Sequence, residues 1–140
     1  MSILLDSSVL IADERGTWDG RRFALEMVGQ QSTGISAITA SEFLHGCWRA
    51  PVGKRREQRL AFFETVSNAV EIIPFDFEIA KTHAKLWAEL AAKGIDVGPH
   101  DLIIAATCLH LDWTLATLNS EEFGRIPGLR RVDCDPFRLS

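Results

Sequence analysis

The chain has 140 residues, 46% of them apolar and 24% charged, which suits one soluble globular domain over residues 1–140 and excludes disorder or low complexity as a description of the whole. Fifteen Lys and Arg stand against nineteen Asp and Glu, so the net charge is −4. That balance argues against a passive polyanion binder, which is basic throughout, but leaves room for a local basic patch.

Ile3-Leu4-Leu5 opens the chain as a short buried strand without polar alternation, as in parallel sheets. The run meets Asp6 too early to be a signal peptide. Ser7 and Ser8 are expected to cap a helix starting at Val9 and ended by Gly16. A second helix is expected from Asp19 to about Gln31, with Phe23–Met27 and Ala24–Val28 at i, i+4 spacing. Ile35–Ile38 reads as the second strand, and the next helix as running from about Thr39 to Trp48, stopped by Pro51-Val52-Gly53. Lys54 to about Val70 is a further helix, and Ile72-Ile73 begins a third strand. Asp76 caps a helix that Gly94 ends. An almost wholly apolar, hence buried, helix runs from Leu102 to Leu111. It is only half the length of a membrane span, so no membrane partner is expected. Thr114–Thr117 is a fourth strand, and Val132 lies in a short fifth.

This alternation predicts a three-layer α/β/α fold around a mainly parallel sheet of four to five strands. Such sheets place their sites at the carboxyl ends of the strands. Acids fall at those points. Asp6 follows the first strand, Glu42 lies in the first turn of the helix after the second, Asp101 opens the buried helix, and Asn119 and Glu122 follow the fourth strand. Each has a purely structural reading: Asp6 as a helix cap, Thr39 and Glu42 as a capping box, Asp101 as a first-turn acid favoured by the helix dipole. Together they point elsewhere, because clustered carboxylates repel and a hard divalent cation resolves the conflict. Carboxylates without an essential Cys or His fit Mg²⁺, with Mn²⁺ as the alternative, rather than zinc. Cys47, Cys108 and Cys134 form no CxxC pair, and a reducing, cytoplasmic location is expected. His45-x-Cys47 has no second pair to make a metal site with.

Four segments carry a family resemblance. They are Leu4-Leu-Asp6-Ser7-Ser8-Val-Leu-Ile, Ile35-Ser-Ala-Ile-Thr39-Ala-Ser-Glu42-Phe-Leu-His-Gly, His100-Asp101-Leu-Ile-Ile-Ala-Ala, and Leu115-Ala-Thr117-Leu-Asn119-Ser-Glu-Glu122-Phe123. In order and spacing they resemble the PIN domain of the VapC toxin ribonucleases, over nearly the whole chain. The resemblance implies a Mg²⁺-dependent endoribonuclease, neutralised by a cognate VapB-type antitoxin. It implies Asp6 and Asp101 as principal metal ligands, Glu42 as a ligand or acting through water, and Ser8 as the hydroxyl that orients them. Many PIN domains place an Asp where this chain has Asn119, so the fourth acid becomes Glu122, acting through water with Asn119 positioning it. It implies an RNA substrate, tRNA or rRNA, and a homodimer or larger toxin–antitoxin assembly. The alternative is a PIN-like module that binds RNA or protein without cutting.

Three further features bear on binding. Lys54, Arg55, Arg56 and Arg59 are either a solvated helix face or a phosphate-tracking patch, and Arg125, Arg130 and Arg131 lie close in sequence to Glu122. The four tryptophans are expected mostly in the core, with Trp48 and Phe62-Phe63 considered for the antitoxin's groove. His100 is expected at a helix start or on the surface rather than in catalysis.

Overall fold

The computed structural model describes residues 2–140. Five parallel strands form one sheet in the order β3-β2-β1-β4-β5. The strands are β1 (Ile3–Leu5), β2 (Thr33–Ser36), β3 (Glu71–Ile73), β4 (Thr114–Thr117) and β5 (Arg131–Asp133). Neighbouring side chains point to opposite faces, and the sequence uses this directly. Leu4, Ile73 and Leu115 pack under α5 (Phe77–Ala92) and α6 (Pro99–Leu111). Ile3, Ala116 and Val132 face the other way, with Val9 of α1 (Ser7–Glu14) and Phe23 of α2 (Gly20–Phe23). Ile35 shares that second face with Phe43 of α3 (Ala37–Arg49) and Phe63 of α4 (Lys54–Ala69). These are the expected three layers. Gly34 is needed in β2, because a Cβ there would lie 3.0 Å from the Glu71 carbonyl, Ile73 and Trp113.

The order reverses at β1, whose neighbours are β2 on one side and β4 on the other. Asp6 follows β1 at that switch point, where open α/β sheets leave a crevice.

Several local expectations need correction. The first helix starts at Ser7 rather than Val9, so Ser7 and Ser8 lie inside it and Asp6 holds the cap position. The second helix is regular only over Gly20–Phe23, capped by Asp19, and continues as a π-helical turn over Ala24–Val28. Gly29, at φ 59°, ends it two residues before the expected stop. The second strand sits two residues earlier than expected, because pairing with β1 and β3 sets its register. Ser36, not Thr39, caps α3, accepting from the Ile38 amide at 3.3 Å. The Thr39–Glu42 capping box is therefore absent. The buried helix begins at Pro99, where proline's missing N–H costs nothing. Trp87 and Trp48 are about 60% exposed rather than in the core, whereas Trp18 is buried and donates to the Cys134 carbonyl. All three cysteines are free and buried. Among the described residues no helix is long and apolar enough to cross a membrane.

Candidate active site

Asp6 is the most constrained member of the site. It is 2% exposed and sits at the helix N-cap position, yet its side chain caps nothing. Ser8 Oγ and Thr117 Oγ1 both donate to its Oδ2 at 2.8 Å. Those hydroxyls are held in turn, since Ser8 Oγ accepts from the Leu118 amide at 3.0 Å and Thr117 Oγ1 from the Asn119 amide at 2.9 Å. The network ties the end of β1 to the end of β4. Two donors on one oxygen fix the carboxylate's orientation and leave Oδ1 for another partner. Ser8 thus lies in direct hydrogen-bond contact with the Asp6 carboxylate. Thr117 was not singled out from the sequence, and its only signal there is its place two residues before Asn119.

Glu42 comes from the second turn of α3. Its Oε1 is buried with no hydrogen-bond partner among the described residues, while Oε2 lies 3.3 Å from His100 Nδ1. An orphaned buried carboxylate oxygen is costly unless something else completes it. His100 stands at the start of α6, as expected, and its ring also lies beside Glu42.

Asp101 occupies the first turn of α6. A helix N-terminus ordinarily favours an ionised acid. Here burial, with the charges of Asp6, Glu42 and Glu122, outweighs that and the nearby His100, pushing the carboxyl from 3.8 to about 6. The four acids therefore share one field, as the sequence suggested. Glu122 is the outlying member, half exposed on the short helix α7 (Ser120–Phe123) and paired with Arg125 at 3.1 Å. Asn119 holds the cap position of α7, but its side chain caps nothing.

The donor set fits a hard divalent cation. It consists of carboxylate oxygens, one without a hydrogen-bond partner among the described residues and one on a carboxyl whose pKa is raised by burial and by its fellow acids. Among the described residues no three His, Cys, Asp or Glu side chains close into a ready cage. His45 is exposed while Cys47 is fully buried, so they form no metal pair.

Most of the basic residues considered for RNA have structural partners. Arg56 donates to the Trp48 and Ala50 carbonyls at the end of α3. Arg59 pairs with Glu14 at 3.0 Å and donates to the Gly46 carbonyl. Arg130 pairs with Asp112, and Arg131 donates to Ser120. Phe62 is half buried against Phe43, Phe63 is core, and Arg56 covers the exposed Trp48 ring.

A five-stranded parallel sheet carrying these acids at its switch point defines a PIN-type nuclease scaffold. The PIN domain family model matches residues 3–129. Ribonuclease VapC1 of Rickettsia felis is 36% identical over 129 residues, covering 92% of this chain and 93% of that protein. The tRNA(fMet)-specific endonuclease VapC of Salmonella typhimurium is 36% identical over 99 residues, 71% of this chain and 73% of that one. Among solved structures, the Rickettsia felis VapBC2 complex bound to a promoter DNA fragment superposes with a TM-score of 0.84 at 28% identity, covering 94% and 98% of the two chains. The chain belongs to the PIN-domain family, and within it to the VapC ribonucleases.

Proposed function

We propose that this VapC ribonuclease is a metal-dependent endoribonuclease toxin, restrained by a VapB-type antitoxin. The observation that carries the reading is the shared field of Asp6, Glu42, Asp101 and Glu122, together with the unpartnered Glu42 Oε1. Asp6 and Asp101 would hold Mg²⁺ or Mn²⁺ directly, Glu42 directly or through water, and Glu122 through water. A divalent cation at that place supplies Lewis-acid stabilisation of the phosphodiester and a more acidic water.

The chain's own residues supply orientation and proton handling. Ser8 and Thr117 hold the Asp6 carboxylate so that it need not reorganise as charge develops on the phosphate. Glu42, whose side chain is about a third exposed, would take the proton from a water attacking the RNA phosphodiester in line. The Arg125 guanidinium steadies Glu122 at the rim. The substrate class is a structured RNA, tRNA or rRNA, and the Salmonella typhimurium relative is a tRNA(fMet)-specific endonuclease.

The antitoxin reading rests on two supports. The VapBC complexes from Rickettsia felis and Salmonella typhimurium are structurally similar to this chain over more than nine-tenths of its length. An open apolar cavity of about 440 Å³ also lies between α1, the π-helical turn and α4, walled by Val9, Phe23, Val28, Phe62 and Val66. Its apolar walls suit the apolar face of a partner helix.

The test is cleavage of total cellular RNA by purified, antitoxin-free protein, with Mg²⁺ or EDTA, beside Asp6→Asn. Discrete fragments that require metal and vanish in the variant support the proposal. Metal-independent fragments, or fragments unchanged in Asp6→Asn, refute it.

A further inference from the structure

The α3 helix carries two features on one face. Glu42 and Arg49 are seven residues apart, two turns and about 10 Å along the axis, so they point the same way. His45 and Gly46 lie between them on that face, His45 exposed and Gly46 with no side chain to block the way. The absent side chain has its own cause, since a Cβ at Gly46 would approach the Arg59 guanidinium at 3.3 Å. A stripe thus leads from the acidic site to the end of α3.

That end is basic. Two shallow clefts meet there, of about 280 and 330 Å³, and Arg55 and Arg59 line both. Arg49 completes the first cleft, and Arg15 the second. Arg59 is satisfied by Glu14 and by the Gly46 carbonyl, so it acts as a fixed floor. Arg15, Arg49 and Arg55 are exposed, and among the described residues none forms an ion pair or a side-chain hydrogen bond. A chain with net charge −4 has converged several guanidinium groups at one spot and neutralised one of them, while its other arginines near α7 and β5 are all engaged.

We infer that Arg49, Arg55 and Arg15 form a subsite for backbone phosphates of the RNA strand, reached along α3 from the cleavage site. This rests on the ribonuclease reading above and adds to it a strand path and a binding register. Guanidinium forks match phosphate oxygens bidentately. An acidic active site repels a polyanion, so productive binding needs compensating cations at a distance where they do not cancel the acids. A span of about 10 Å along α3 places the held phosphate one to a few nucleotides from the scissile one. Short substrates would end before it.

The test uses full-length protein and a tRNA transcript, with binding measured in EDTA, where cleavage is absent, over a range of salt. Arg49→Gln/Arg55→Gln is expected to weaken binding roughly ten-fold near 0.1 M salt and to lower the slope of log affinity against log salt by about 1 to 1.5. With Mg²⁺, cleavage of the tRNA falls similarly, whereas cleavage of a dinucleotide, whose only phosphodiester is the scissile one, is unchanged. Arg49→Lys/Arg55→Lys retains most of the salt slope, and Arg21→Gln, on α2, changes nothing. An unaltered salt slope in the Gln pair overturns the inference, as does equal loss on long and short substrates. Unchanged RNA binding with lost antitoxin binding also overturns it, and assigns the patch to the protein partner. If the wild-type protein binds and cleaves RNA, these failures touch the subsite alone. A wild-type protein that does neither overturns the ribonuclease reading and the subsite together.

Discussion

Asp101→Asn is predicted to stabilise the metal-free protein while abolishing its activity. The Asp101 carboxyl is raised from 3.8 to about 6 by burial and by Asp6, Glu42 and Glu122. A carboxyl whose folded pKa lies above its unfolded value costs stability once ionised. The cost is absent well below pH 4, grows between about pH 4 and 6, and is complete above pH 6. At about 1.4 kcal/mol per pH unit the rise amounts to ~3 kcal/mol as a ceiling. The site opens to water, which screens the neighbouring charges, and a gain of about 1–2 kcal/mol is expected at pH 7.5. Asparagine keeps the shape and removes the charge. The assay is urea unfolding in EDTA, wild type against variant, at pH 7.5 and pH 4. The gap should be clear at pH 7.5 and nearly closed at pH 4. Mg²⁺ should narrow it at pH 7.5 by stabilising the wild type alone. A variant no more stable than wild type at pH 7.5, or a gain equal at both pH values, would refute the shared-field argument.

Other consequences follow from named contacts. Thr117→Val removes a donor to Asp6 and the acceptor of the Asn119 amide. It should lower kcat about ten-fold and cost ~1–3 kcal/mol in urea unfolding, with Thr117→Ser restoring both. The Arg59–Glu14 pair is only 14% and 16% exposed, so Arg59→Met leaves a largely buried carboxylate alone and should cost ~3 kcal/mol. Adding Glu14→Gln should recover a measurable part of that loss, and additive losses in the double variant would count against coupling. Phe43 is 1% exposed and packs against both Phe62 and Phe63, so Phe43→Ala should lower the unfolding free energy by ~3–5 kcal/mol.

The sheet and its acids were legible because their signals are local. Ile3-Leu4-Leu5, Thr114–Thr117 and the apolar run at Leu102–Leu111 each announce themselves by composition, and an acid just past a strand needs only the rule of strand ends. Non-local contacts account for what was missed. The register of β2 depends on β1 and β3, and the cap of α3 moved with it from Thr39 to Ser36. Nothing near Thr117 reveals that its hydroxyl reaches Asp6, 111 residues away in sequence. His100 meets Glu42 only because α3 and α6 pack together. The basic run from Lys54 to Arg59 reads as uniform, yet its members divide by partners elsewhere in the chain. Arg56 closes the end of α3 and Arg59 is held by Glu14, while Arg55 faces solvent.

On the function proposed above, Asp6, Glu42, Asp101 and Glu122 together hold a hard divalent cation. Calorimetric titration of purified protein with Mn²⁺ at pH 7.5, repeated in two buffers of different ionisation enthalpy, tests it most directly. Wild type should bind the ion, releasing almost no proton at pH 7.5 and about half a proton when the titration is repeated at pH 6, because burial and the neighbouring acids raise the Asp101 carboxyl to about 6 and binding requires it ionised. Asp6→Asn and Asp101→Asn should bind at least ten-fold more weakly. Equal affinity in all three proteins, or no binding by wild type, would contradict the claim.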